Sequence, residues 1–366
     1  MKFSINKSEL QNAISIVLKG VSTRSTLPVL SGILIEAAGD KIILQATDLE
    51  LSIQYSAAAL VEEDGKAVLP GKLFSDIVKN LPDASVHVEA QDERAFITCD
   101  TSSFSLKALN YEDFPGFPSV DVHQRIEIPF TQFAAMVKRV SRVVSKDASR
   151  AILTGVLVAL EAGQLRMVAT DSYRLAVTEA PMPDATADEF QAVIAGSFLS
   201  EIASLPKTES PVTIALADNQ ILVTCEDTVF INRRIEGNFP NYKQLIPESY
   251  VTRALIDVDR IVAGVKRASL LGSSTSPVKL DLNMASQTVQ ISAASQDVGS
   301  AQETLPCEIE GEDVEIAFNY SYVLEGLSSV AGDKVYLEVQ SSLKPGIFRA
   351  VAPENYLYLV MPVRVS

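Results

Sequence analysis

Two histidines, three cysteines and a recurrent Thr-Asp pair are the residues of this chain whose types could do chemistry. A histidine serves as general base when a serine or cysteine nucleophile lies within hydrogen-bond reach. His87 falls in the strand-like run Ser85-Val-His-Val-Glu89 and His123 in a connecting segment, and neither shares a motif with such a nucleophile. Asp48, Glu50 and Asp171 have the makings of paired carboxylates for proton transfer. Their setting argues for structure instead. Ala46-Thr-Asp-Leu-Glu50 returns 123 residues later as Ala169-Thr-Asp-Ser-Tyr173, so the acids belong to a repeated turn or strand end. Pro70-Gly-Lys72 has the outline of a phosphate loop, but Leu73 stands where Ser or Thr is needed and the glycine spacing is wrong. No GxGxxG, HExxH or DxDxDG pattern occurs. Cys99 and Cys225 occupy the same place in two copies of one strand, Ile97-Thr-Cys-Asp100 and Val223-Thr-Cys-Glu226, and Cys307 stands apart. An odd count without a CxxC pair points away from disulfides and zinc, toward a reducing compartment. No catalytic residue, cofactor or metal is expected.

The elements that must position these residues are written three times. Leu44-Gln-Ala-Thr-Asp-Leu-Glu-Leu51 and Met167-Val-Ala-Thr-Asp-Ser-Tyr-Arg-Leu175 have a worn third copy in Ile291-Ser-Ala-Ala-Ser-Gln-Asp297. A period near 120 is too long for a solenoid and suits a whole domain. Each copy begins with a helical stripe: Leu10, Ala13, Ile14, Val17, Leu18 and Val21; Phe133, Val137, Val140 and Val144; Val258, Ile261, Val262 and Val265. A strand-like run follows at 29–35, 152–160 and 278–282. A second short helix comes at 73–81, 198–205 and 322–327, closed in the first two copies by Leu81-Pro82 and Leu205-Pro206. The joins Phe114-Pro-Gly-Phe-Pro118 and Phe239-Pro-Asn-Tyr242 are stiffened by proline. The spacing predicts an α+β chain of three repeated domains, 1–122, 123–249 and 250–366. Each has antiparallel sheets outside and two helices inside. A rigid, curved row of this kind closes into a ring or polymerises.

Net charge is −15, from 31 basic and 46 acidic side chains, which favours solubility and disfavours general attraction to nucleic acid. The cations are nevertheless placed unevenly. Lys138, Arg142, Lys146 and Arg150 recur at i, i+4 beside Arg139, and only Asp147 opposes them. Arg260, Lys266 and Arg267 occupy the equivalent helix of copy three. Lys7, Lys19, Arg24, Lys72 and Lys79 belong to the helices of copy one or to the residues after them. If these helices line a concave side, a positive lumen faces a polyanion while the acidic exterior repels it. Two chains would supply twelve helices. At roughly 10 Å between axes they enclose an opening of about 28 Å, wide enough for duplex DNA held loosely through its phosphates. A repeat scaffold that binds peptides and not DNA is the alternative, and the cation stripe discriminates the two. The beginning Met1-Lys-Phe-Ser-Ile-Asn-Lys7 has no apolar signal region, and no apolar run approaches the roughly 18 residues of a membrane span, so a cytoplasmic protein is expected.

Six segments in order carry a resemblance: Thr26-Leu-Pro-Val-Leu30, Ala46-Thr-Asp-Leu-Glu50, Ala169-Thr-Asp-Ser-Tyr-Arg-Leu-Ala176, Phe239-Pro-Asn-Tyr242, Phe318-Asn-Tyr-Ser-Tyr-Val-Leu324 and Val360-Met-Pro-Val-Arg364. Along its whole length the chain resembles the bacterial DNA polymerase III beta subunits, the replicative sliding clamps. The resemblance implies a head-to-tail homodimeric ring around duplex DNA, non-enzymatic, placed there by a clamp loader. It also implies use as a tether by the DNA polymerase III alpha subunit and by other polymerases or repair proteins. The placement of the cations makes Arg24, Lys72, Lys79, Lys138, Arg139, Arg142, Lys146, Arg150, Arg260 and Lys266 the expected DNA contacts. The resemblance further implies a pocket for short peptide motifs, formed by Leu153, Thr170, Ser172, Tyr173, Arg174, Leu175, Pro240, Leu245, Asn319, Tyr322, Leu343, Val360, Met361, Pro362, Val363 and Arg364. An apolar concavity with a few polar groups suits a leucine or phenylalanine from a flexible tail. The implied dimer contact sets Phe104 and Leu106 against Leu270 and Leu271, edge strand to edge strand. Gln244 stands where many members carry arginine, and Ser172-Tyr173 replaces the Gly-His of some.

Overall fold

The computed structural model describes residues 1–22, 26–182, 189–271, 277–295 and 297–364. Six α-helices, two per copy, are present among them: α1 Lys7–Val17, α2 Gly71–Asn80, α3 Phe130–Val140, α4 Gly196–Ala203, α5 Val258–Ser269 and α6 Tyr320–Leu327. The apolar stripes are the cause. Leu10, Ala13, Ile14 and Val17 of α1 and Ile261 and Val265 of α5 are buried, while the opposite faces are wet. Proline sets the ends of α2: Pro70 precedes it, and Leu81, ahead of Pro82, is already extended with ψ 153°. None of the helices is long and apolar enough to cross a membrane.

The rest of the fold is antiparallel sheet. Contacts divide the chain into two compact units, residues 1–131 with 204–234, and residues 132–203 with 235–366. The first unit holds a five-stranded sheet in the order Leu60–Glu63, Lys2–Asn6, Ser85–Gln91, Arg94–Cys99, Ser102–Lys107. Its second sheet has eight strands: Gln124–Pro129, Pro211–Leu216, Gln220–Cys225, Thr228–Arg233, Leu51–Ala58, Lys41–Thr47, Gly32–Ala38 and Gly65–Pro70. The other unit repeats the plan. A nine-stranded sheet runs Phe190–Ala195, Gly155–Glu161, Gln164–Thr170, Arg174–Pro181, Tyr356–Val360, Gly346–Ala350, Lys334–Val339, Thr252–Asp257 and Glu308–Glu310. A four-stranded sheet runs Gly299–Pro306, Thr288–Ser295, Pro277–Asn283, Val314–Asn319.

Each large sheet crosses from one copy of the repeat to the next. In the first unit Thr228 pairs with Tyr55 and Asn232 with Leu51; in the other Arg174 pairs with Val360 and Thr178 with Tyr356. Sequential copies are therefore joined by a backbone hydrogen-bond ladder as well as by the proline-stiffened connections that the sequence suggests. These two seams share their packing. A Cβ on Gly32 would lie 2.4 Å from Val68 and 3.1 Å from Leu109, and one on Gly155 would lie 2.4 Å from Val193 and 2.9 Å from Ile235. Only glycine lets the strand approach so closely at either place.

Candidate functional site

The Thr-Asp signature is a turn, and its acids are spent inside it. Thr170 Oγ1 donates to the Arg174 carbonyl at 2.7 Å and accepts from Ser172 N at 3.2 Å, while Asp171 Oδ1 accepts from the amides of Tyr173 and Arg174 at 2.9 and 3.1 Å. Copy one repeats the pattern: Thr47 Oγ1 accepts from Leu49 N, and Asp48 Oδ1 from Glu50 N and Leu51 N. Local side-chain caps of this kind let the middle residue turn left-handed. Ser172 has φ 83° and Leu49 φ 78°. As the sequence suggests, the carboxylates of Asp48 and Asp171 hold a turn; that of Glu50 takes no part in it.

In copy two the turn carries Arg174 into the seam. Only 7 % exposed, Arg174 donates from Nε to Asp171 Oδ2 at 3.0 Å, from Nη1 to Glu325 Oε2 at 2.5 Å and to Tyr358 Oη at 3.3 Å, and from Nη2 to the Arg142 carbonyl at 3.0 Å. Its guanidinium lies 4.4 Å from the Tyr322 ring centroid on α6. Burial opposes its charge, but Tyr358 and Glu325 more than offset burial and hold its pKa above the usual arginine value. Burial also pushes the Tyr358 and Tyr322 phenols upward. A buried charge is tolerated only when paired and hydrogen-bonded, and Arg174 meets this with two carboxylate partners and four hydrogen bonds in all.

Around this hub the apolar residues sort into floor and rim. Leu175 and Leu359 lie in one buried cluster with Val168, Val177, Ile347, Leu357 and Tyr242, and Val360 and Leu153 are buried beside the same strand ends. The exposed rim is made of Tyr173 (60 %), Leu343 (68 %), Leu245, Met361 and Val363. Backbone bonds lock the terminal segment there: Met361 N donates to Tyr173 O at 2.9 Å and Val363 N to Ala317 O at 2.8 Å. Pro362 is half-buried, Arg364 exposed and Pro240 exposed in the segment leading to the 3-10 turn Tyr242–Leu245. Asn319 caps α6 by accepting from Ser321 N at 2.9 Å. The expected pocket residues thus gather at one end of the nine-stranded sheet. Leu153, Leu175 and Val360 serve as core, Asn319 as a helix cap and Arg174 as the hub.

The expected cation stripe does not survive as one helical face. α3 stops at Val140, one 3-10 turn covers Ser141–Val143, and Val144 is extended with ψ 148°. The β-branched pair Val143-Val144 disfavours continuation, and a new cap begins where Asp147 accepts from Ser149 N at 3.0 Å. Lys138, Arg142 and Lys146 are exposed, but Lys146 and Arg150 lie on the loop and 3-10 segment after the helix. Arg139 is a correction: it is ion-paired with Glu354, donates to Thr178 Oγ1 at 3.3 Å and stands 5.9 Å from the Tyr356 ring, so its charge is consumed internally. Arg150 faces the Thr-Asp turn, donating to Ser172 Oγ at 3.0 Å and to Asp147 Oδ2 at 3.2 Å. Lys72 and Lys79 on α2 and Arg260 and Lys266 on α5 are exposed. Lys7 is half-buried, Lys19 donates to Ser204 Oγ at 2.8 Å and Arg267 pairs with Glu303. Arg24 lies outside the described residues.

Models of the DNA polymerase III beta subunit match almost the whole chain: the N-terminal domain at 1–118, the central domain at 127–241 and the C-terminal domain at 243–364. The chain belongs to the DNA polymerase III beta subunit family. The beta sliding clamp of Bacillus subtilis is 31% identical over 377 residues and that of Synechocystis 32% over 390, each covering 100% of both chains. The crystal structure of the Bacillus subtilis DNA polymerase sliding clamp superposes with a TM-score of 0.95 at 31% identity, covering 100% of both chains. A DNA polymerase III subunit beta from Pseudomonas aeruginosa gives 0.93 at 26%, also over 100% of both. The function is that of a DNA sliding clamp, a processivity factor and not an enzyme.

Among the described residues, each of the four sheets ends in strands with one edge that no further strand pairs within the protomer. Ser102–Lys107 is one of the two outer strands of its sheet, and Gly299–Pro306 one of the two of the four-stranded sheet. Phe104 is exposed, and Leu270, just past α5, is 80 % exposed with Leu271 half-buried. Leu106 is another correction: it lies opposite the fully buried Ala95 and packs inside its own protomer. Sequence reasoning missed that Arg142 and Arg150 abut the Thr170–Arg174 turn. Asp147-Ala-Ser149, a helix-start signature, was the legible signal that Arg150 begins a new segment.

Proposed function

We propose that two copies of this chain close head to tail around duplex DNA and tether polymerases through the groove at the Arg174–Val360 seam. The repeat units 1–122, 123–249 and 250–366 are its three domains, a division supported by where the three family models fall. The observation that carries the proposal is similarity over the entire chain, at 0.95 TM-score, to a DNA polymerase sliding clamp. Lys72, Lys79, Lys138, Arg142, Lys146, Arg260 and Lys266, with Arg24, are the phosphate contacts; Arg139 is withdrawn and Arg150 serves the pocket. Phosphate contacts of this kind are blind to sequence and weaken with salt. The dimer seam joins Ser102–Lys107, with Phe104, to the edge beside Leu270 and Leu271. Partners are the DNA polymerase III alpha subunit, the clamp loader and other polymerases or repair proteins bearing short motifs, in the cytoplasm.

Topology supplies the test. Loaded protein should stay on nicked circular DNA through gel filtration and slide off once the circle is cut. Equal retention on circular and linear DNA, or a monomer by sedimentation, would contradict encirclement. A protein that binds the peptide tail of the polymerase but no DNA circle would favour the scaffold reading.

A further inference from the structure

Residues 239–246 bring Pro240 and Leu245 to the groove, yet no strand holds them; their one regular piece is the turn Tyr242–Leu245. Two anchors fix this segment. The apolar anchor is Tyr242, buried with Leu175 and Leu359 and meeting Phe239 edge-on at 6.5 Å. The other is polar. Arg166, on strand Gln164–Thr170, donates from Nη1 to Glu161 Oε2 at 2.9 Å and from Nε to Glu179. Lys243 reaches the same Glu161 oxygen at 3.4 Å, and Asn355 Nδ2 holds the second oxygen of Glu179 at 2.8 Å. Glu161 therefore receives one cation from the sheet and one from the segment.

The geometry points to Arg166 as a positioning residue of the peptide groove, which through Glu161 and its second cation, Lys243, fixes the segment presenting Leu245. This deepens the pocket reading above and rests on it. Lys243 and Glu161 are too exposed for their pair alone to matter much. A shared acceptor and a mostly buried guanidinium make the difference, because the turn is ordered before any peptide arrives. Ordering it beforehand removes an entropic cost from binding. Arg166 acts through the segment, not on the ligand.

The test uses the full-length protein and the fluorescein-labelled C-terminal peptide of its own replicative polymerase subunit. Leu245→Ala should weaken binding about tenfold and Arg166→Gln about fivefold, whereas Arg166→Gln added to Leu245→Ala should cost less than about twofold, since the positioned group is gone. Arg166→Lys should recover part of the loss. Should Arg166→Gln melt early, Lys243→Met leaves the Arg166–Glu179 pair in place and should weaken binding about twofold by the same route. Unchanged affinity in both Arg166→Gln and Lys243→Met overturns the inference, as does an undiminished effect of Arg166→Gln in the Leu245→Ala background. Wild-type protein that does not bind the peptide removes the pocket reading itself, a separate result.

Discussion

The seam at Leu51–Ala58 and Thr228–Arg233 and the seam at Arg174–Pro181 and Tyr356–Val360 share one backbone frame and differ in what fills it. Equivalent apolar residues cluster in both copies: Val29, Leu34, Val68, Leu109 and Phe114 in the first, and Ile152, Leu157, Val193, Ile235 and Phe239 in the second, where they pack with the seam residues Leu175, Val177 and Leu359. The floors diverge. Val168, Leu175 and Val177 of the second are matched, 123 residues earlier, by Gln45, Ser52 and Gln54. Gln45 Nε2 donates to Gln54 Oε1 at 3.1 Å, and the hydroxyls of Thr47 and Ser52 meet at 2.9 Å. An entering leucine would bury against amides at the first seam and against aliphatic carbon at the second. Leu51 also replaces Arg174, so the first seam has no charged hub. A repeat thus makes two similar seams, and three side chains decide which floor is apolar.

The largest expected break in this comparison is Arg174→Ala. It removes the buried cation shared by Glu325, Asp171 and the Tyr358 hydroxyl, and losing one partner of a buried pair costs about 3–5 kcal/mol. Leu51→Ala, at the matching position, should cost about 1 kcal/mol because that side chain is only half-buried. Urea unfolding of both variants checks the pair, and equal losses would remove the distinction between the seams. Next comes Val177→Gln, which copies Gln54 into the second seam. It should lower peptide affinity about tenfold by placing an amide on an apolar floor, while the reciprocal pair Gln45→Val with Gln54→Val leaves stability nearly unchanged, since both partners of that hydrogen bond go together. Calorimetric titration and thermal melts read the two outcomes, and undiminished affinity in Val177→Gln would show that the floor does not select.

The smallest effect is one of pH. Burial, followed by Glu9, pushes the Tyr55 phenol of the first seam up to about 12. Below the unfolded value near 10 both states keep the proton, and stability does not change on this account. Between pH 10 and about 12 the unfolded chain ionises first, so stability falls as pH rises. Tyr55→Phe should shallow that fall by a small amount in denaturation midpoints measured across the window. A fall unchanged by the substitution would mean that Tyr55 ionises as freely in the fold as outside it.

Much of this architecture was legible beforehand. The triple repeat, all six helices and the Thr-Asp turn follow from spacing, because they are made by residues near one another in the chain. The seams are not legible that way. Thr228 pairs with Tyr55 and Arg174 with Val360 across more than a hundred residues, and alternation within a strand does not name its partner. Regular i, i+4 cation spacing overrode a helix end that Val143-Val144 and Asp147-Ala-Ser149 announced. Charge alone could not separate Lys138, exposed on α3, from Arg139, consumed by Glu354 one residue later. Burial decides the role of an arginine, and burial is a tertiary property.

Peptide stoichiometry tests the central contrast most directly. Calorimetry of the full-length protein with the polymerase tail peptide should return one peptide per protomer, with binding lost when residues 361–366 are deleted and the dimer preserved. Two peptides per protomer, or one that persists after the deletion, would contradict the assignment of docking to the second seam alone.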